Sequence, residues 1–192
     1  MIKSNKISTK IKLIGALLIF LMASVIATTI YLNQQNIKDA LLINIAGKQR
    51  MLTQKIVKNI FYTHYNSLKD FHELDEACNE FIEGLNTLRH GNQGKGILVV
   101  PTYEISNKLL EVSELWGNFY KDVEEFKRLS NSNDEKTKEL EKIIASIYKN
   151  NTVLLNNVDK LVTMYTNYSE DKTNFIKSFQ YSSGAILFIL FI

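Results

Sequence analysis

The side chains best suited to chemistry lie in residues 43–56, INIAGKQRMLTQKI. Read as an α-helix, seven residues advance about 700°, so Gly47 and Gln54 fall about 20° apart on one face. Arg50 lies close to that line, and Asn44 lies on it to the other side. Asn44, Gly47, Arg50 and Gln54 therefore form a small polar stripe. A helix-interior glycine costs about 1 kcal/mol relative to alanine, which is tolerable where a ligand or another helix approaches the backbone. From residue 40 to 68 there is no aspartate or glutamate, yet Lys48, Arg50, Lys55 and Lys58 all fall there. The four do not converge, because Lys48 points about 160° away from Arg50. The guanidinium fork of Arg50 suits a planar oxyanion such as nitrate, carboxylate or phosphate. In a two-fold dimer each Arg50 would meet its partner copy, and an anion between them would relieve their repulsion. The competing reading is plainer: a solvated arginine paired with an acid, and a glycine that only allows close helix packing.

Other chemistry finds little support. His64, His72 and His90 are scattered, and no H-E-x-x-H spacing occurs. His72, Glu73 and Asp75 are neighbours in sequence, so on a helix they point apart and do not make a metal site. GNQGKG lacks the Gly-Lys-Ser/Thr ending of a phosphate loop, and no nucleophile elbow, catalytic pair or cofactor motif is present, so the chain does not read as an enzyme. The acidic runs at 122–125 and 139–141 read as solvated helix faces.

The elements that must position the stripe emerge from composition and period. One proline and eight glycines leave a chain of 192 residues with little punctuation, which favours long helices. The net charge is +3, but Lys3, Lys6, Lys10 and Lys12 precede the first apolar run, leaving 19 basic against all 20 acidic residues beyond it. No concentrated basic face for nucleic acid results. The single cysteine, Cys78, sits at helical spacing among Leu74, Phe81 and Leu85 and reads as a small core residue.

Residues 13–32, LIGALLIFLMASVIATTIYL, are uncharged for about the length that crosses a bilayer as a helix. A cleaved signal peptide is the rival reading, but the run is long for a signal core of roughly 7–15 residues. As an anchor, it keeps the lysines of residues 1–12 in the cytoplasm and puts the chain beyond residue 32 outside. Residues 181–192 end in GAILFILFI, too short to span alone, and read as the start of a second membrane helix. On this reading the chain is the front part of a larger receptor or a truncated gene product.

Four helices fit between. The first continues the membrane helix through Leu42, Ile45, Gln49, Leu52, Ile56 and Ile60. The second carries Leu68, Phe71, Leu74, Cys78, Phe81, Leu85 and Leu88. In the third, Ile105, Leu109, Val112, Trp116, Phe119, Val123 and Phe126 alternate steps of four and three, a heptad seam. The fourth has Ile143, Ile147, Leu154, Val158, Leu161, Tyr165 and Tyr168, with polar Asn151 in one heptad slot. Breaks fall near 66–70, at the glycine-rich 89–103, and at the polar 130–134. Short connections predict an all-α, up-down-up-down four-helix bundle over 33–180.

INIAGKQRMLTQKI resembles the signature of the N-terminal sensor domain of type IV pilus methyl-accepting chemotaxis transducers (PilJ-type), roughly N-x-A-G-x-Q-R-M-L-S-Q. Asn44, Ala46, Gly47, Gln49, Arg50, Met51, Leu52 and Gln54 match it, with Thr53 for serine. FIEGLNTLRHG at 81–91, LLEVSELWGNFY at 109–120 and NNTVLLNNVDKLV at 150–162 resemble its later blocks, in order and suitably spaced. The fold of this family also serves nitrate/nitrite sensor histidine kinases, whose Gly-x-x-Arg-Met segment binds nitrate between two protomers. The resemblance implies a homodimer and ligand contacts from Gly47 and Arg50, with Asn44, Met51 and Gln54 beside them. Residues flanking Arg50, Lys48-Gln49 before it and Leu52-Thr53-Gln54-Lys55 after Met51, look more like the chemotaxis branch, and a small anion, nitrate or another, is what they imply. The expected function is the input module of a bacterial inner-membrane receptor, its sensor domain periplasmic, with a chemoreceptor or kinase output beyond this chain. A module that senses a pilus subunit or another periplasmic protein, and a receptor remnant, are the alternatives.

Overall fold

The structure, a computed structural model, describes residues 2–66, 69–97, 100–132 and 137–191. Those residues hold four α-helices: α1 (Ile2–Tyr65), α2 (His72–His90), α3 (Tyr103–Asn131) and α4 (Thr137–Phe191), with a short 3₁₀ turn at Gln93–Lys95. The expected all-α fold is what forms. Leu68 and the end of the 130–134 turn lie outside the described residues.

The chain divides into two compact units, Ala40–Thr166 and the pairing of Met1–Asp39 with Asn167–Ile192. In the unit Ala40–Thr166 the seams close on one another. Every seam residue of α3 from Ile105 to Phe126 is buried. Leu52, Ile56 and Ile60 of α1 are fully buried, as are Leu154, Val158 and Leu161 of α4. Ring contacts fasten α2 to α3, where Phe81 stacks on Trp116 at 4.0 Å and Phe71 meets Phe126 edge-on at 6.1 Å.

Polar contacts trace the order of helices around the core. Lys48 of α1 pairs with Glu80 of α2 at 2.9 Å, and Lys55 with Glu76 at 3.7 Å. Lys127 of α3 holds Asp75 of α2 at 2.7 Å. Asp122 of α3 accepts from Ser146 and Asn150 of α4, each at 2.7 Å. Arg50 of α1 donates to Asp159 of α4. Contacts that advance along one helix retreat along its neighbour: Lys48–Glu80 to Lys55–Glu76 for α1 and α2, Trp116–Phe81 to Lys127–Asp75 for α3 and α2, and Lys108–Asn157 to Asp122–Asn150 for α3 and α4. These neighbours are antiparallel, and the Arg50–Asp159 contact between α1 and α4 closes the up-down-up-down bundle. Asp122 was expected on a solvated face and is instead half-buried, because it meets two donors that only the tertiary register brings to it.

Helix ends obey local chemistry. α2 opens with Asp70 accepting from the His72 N–H at 2.9 Å. The Thr102 hydroxyl accepts from the Ile105 N–H and caps α3. Between α2 and α3 the chain turns back on itself, with Asn92 bridged to Ile97 and Gly91 and Gly96 at φ of 75° and 65°. That backbone region suits glycine.

The second unit is formed by the outer parts of α1 and α4. Among the described residues α1 is, by length and composition, long and apolar enough to cross a membrane. Its Leu13, Ile19 and Phe20 are about 70% exposed, as are Phe188 and Ile189 of α4. The two helices are antiparallel and, among the described residues, are joined by polar pairs that include the following three. Gln180 donates to Thr29 at 2.8 Å, Thr173 donates to Asn36 at 3.2 Å, and Lys172 forms an ion pair with buried Asp39.

Candidate functional site

The predicted stripe lies on one side of α1. Asn44, Arg50, Met51 and Gln54 are exposed and Gly47 is half-exposed. A Cβ at Gly47 would meet nothing within 4 Å, so within a single chain no helix packs closely on this glycine. Ala46 and Leu52, on the other side of the same turns, are fully buried and hold the stripe outward. Thr53 is buried too, and its hydroxyl donates to the Arg50 carbonyl at 2.8 Å, which satisfies it without leaving the helix.

Arg50 reaches across to α4, where Nη1 donates to Asp159 Oδ1 at 3.3 Å. Both side chains remain well exposed. A guanidinium has five N–H donors, and a single long contact leaves most of them turned to solvent. Such a fork binds a planar oxyanion in two parallel hydrogen bonds.

The cations of α1 that lack acids nearby in sequence find them on other helices. Lys48 and Lys55 stand one heptad apart and meet Glu80 and Glu76, one turn apart on α2. The hydrogen bond from Lys48 holds the Glu80 carboxyl below its ordinary value. Arg50, pointing the opposite way from Lys48, takes its acid from α4. Lys58 is exposed and two turns beyond Arg50.

Two features were not legible as site chemistry. Asp159 lies in the NNTVLLNNVDKLV segment, but nothing local marks it as the acid that faces Arg50. Gln49 occupies a seam position and is 1% exposed, with neither side-chain polar atom hydrogen-bonded among the described residues. Its amide rests against Gly84 of α2, where a Cβ would lie 1.9 Å from Nε2. A glycine inside FIEGLNTLRHG was the available signal. No group of three His, Cys, Asp or Glu residues that would hold a metal ion occurs among the described residues.

The family model described as the type IV pili methyl-accepting chemotaxis transducer N-terminal domain matches residues 31–152. The chain belongs to this family. The match takes in Asn44, Gly47, Arg50, Met51 and Gln54 and stops short of Asp159. The fold of this PilJ-type chain is similar to that of the ligand-binding domain of the P. aeruginosa nitrate receptor McpN, with a TM-score of 0.55 and 20% identity over 66% of this chain and 94% of that one. Comparison with curated proteins gives no match.

Proposed function

We propose that this PilJ-type chain is the input module of a transmembrane receptor, and that it binds a small anion at Arg50. The observation that carries the reading is the exposed Arg50 guanidinium, tied by one 3.3 Å bond to Asp159 and flanked by Asn44, Gly47 and Gln54. The similar fold in a domain named for a nitrate receptor makes nitrate and nitrite the first ligands to try.

The site would be completed by a second copy across α1 and α4. Gly47 leaves room for close approach, and Met51, 51% exposed beside Arg50, offers apolar surface for the contact. Two Arg50 groups facing each other would then share one anion. The apolar start of α1 would anchor the module, with 33–180 outside the membrane and the lysines before residue 13 inside.

The test is calorimetric titration of the detergent-solubilised chain with nitrate, nitrite and small carboxylates, beside Arg50→Ala. Saturable binding that is lost in the variant is the expected outcome. A folded dimer that gives no heat with any anion would sink the reading. It would favour a protein ligand, for which Phe61, Tyr62 and Tyr65 at the end of α1, 42–89% exposed, provide the apolar surface.

A further inference from the structure

A second cleft lies on a different side of α1 from Arg50. It has a volume of about 280 Å³ and is lined by Lys48 and Gln49 of α1, Glu80, Glu83 and Gly84 of α2, and Lys95 of the 3₁₀ turn, among others. On the helix, Lys48 and Gln49 point about 160° and 100° away from Arg50, so the two surfaces do not share side chains.

Three observations point to a ligand. The Gln49 carboxamide is buried at the floor of this cleft with no hydrogen-bond partner on either polar atom among the described residues. An unsatisfied buried amide is costly, and the terminal torsion of glutamine is soft enough to turn it toward an arriving group. Lys48 is already neutralised by Glu80 at 2.9 Å. Glu83 and Lys95 are exposed and have no side-chain partner among the described residues, so one open anion and one open cation face the same space. A simple anion would suit Lys95 and be opposed by Glu83; a simple cation meets the reverse problem. The volume is just under the ~300–1,000 Å³ of pockets for drug-sized ligands.

We propose that this cleft binds a small zwitterion with the chemistry of a free amino acid. Its carboxylate rests on Lys95, its ammonium on Glu83, and the Gln49 amide pairs with whichever group reaches the floor. Gly84 keeps the backbone of α2 low enough for Gln49 to lie there.

The test uses the full chain in detergent, titrated with glycine, alanine, serine and glutamine, and with ethylamine and propionate as single-charge controls. Binding is read by calorimetry and by the fluorescence of Trp116, the chain's one tryptophan, which stacks on Phe81, next to Glu80 and three residues before Gly84. At least one amino acid is expected to bind, and Glu83→Gln, Lys95→Gln and Gln49→Leu are each expected to weaken it about tenfold or more. Arg50→Ala should leave that affinity unchanged, which separates this cleft from the anion site. Glu83 and Lys95 are exposed, so their variants keep the fold. The idea is overturned if no amino acid binds at millimolar concentration, if propionate or ethylamine binds as well as the zwitterion, or if the two exposed-residue variants bind as the native chain does.

Discussion

The side-chain nitrogen of Gln49 on α1 stands 1.9 Å from the point where a Cβ on Gly84 of α2 would lie. The two residues occupy one space, and only a glycine at 84 leaves it to the amide.

The clash is with the end of a flexible side chain, so Gly84→Ala is expected to push the Gln49 amide aside and to destabilise the fold by about 0–2 kcal/mol net, an overpacking cost of about 1–3 kcal/mol less the roughly 1 kcal/mol that alanine gains in a helix. Urea unfolding measures the difference. Shortening the opposing side chain with Gln49→Ala in the same chain should recover much of the loss. A Gly84→Ala chain more stable than the native one would show that the amide moves aside without cost.

Asp159→Asn removes the acid that faces Arg50 at 3.3 Å. The pair is exposed, so stability should change by less than about 1 kcal/mol. If Arg50 binds an anion, freeing it from a competing carboxylate should tighten nitrate binding severalfold. Unchanged or weaker binding in a calorimeter would count against Arg50 as the anion contact.

Asp39 and Lys172 form an ion pair whose acid side chain is 7% exposed and whose amine is 20% exposed. Lys172 also lies 5.2 Å from the Tyr168 ring centre. Asp39→Ala leaves a half-buried ammonium without its counterion and should cost about 3 kcal/mol. The double change Asp39→Leu with Lys172→Met should restore most of it. Thermal unfolding of the three chains in the same detergent checks both statements.

Cys78 gives a prediction in pH. Burial, and then the nearby Asp75 carboxylate, push its thiol from 9.0 up to about 12. Between those values the unfolded chain loses this proton while the folded chain keeps it. Stability should therefore fall as pH rises from about 9 to about 12, by up to 1.4 kcal/mol per unit of pH. Cys78→Ala should flatten that part of the curve. Iodoacetamide should label native Cys78 far more slowly than the unfolded chain at pH 8, because the thiolate is the reactive form.

Much of this architecture is legible in the sequence. The α3 seam from Ile105 to Phe126 is buried throughout, since a 4-3 spacing of large apolar residues has one way to be satisfied on a helix. Cys78 and Asn151 are buried where their heptad slots put them. Ile143 and Tyr168, at the ends of the α4 seam, are only half-buried. The cation partners were not legible. Which acid meets Lys48, Arg50 or Lys55 depends on the axial register between helices, and no local pattern sets that register to one turn. Gln49 was legible as a seam residue, but its missing partners result from how α2 lies against α1 at Gly84.

The three polar pairs between the outer parts of α1 and α4 span Thr29 to Asp39, about 15 Å of helix. A slide along the helix would lose them in sequence, not together. With each contact perpendicular to the axis, the 3.2 Å Thr173–Asn36 bond passes the ~3.5 Å limit after about 1.4 Å of slide, and the 2.8 Å Gln180–Thr29 bond after about 2.1 Å. The long Lys172 side chain follows Asp39 further. The row therefore yields step by step, with the ion pair the last of the three to let go.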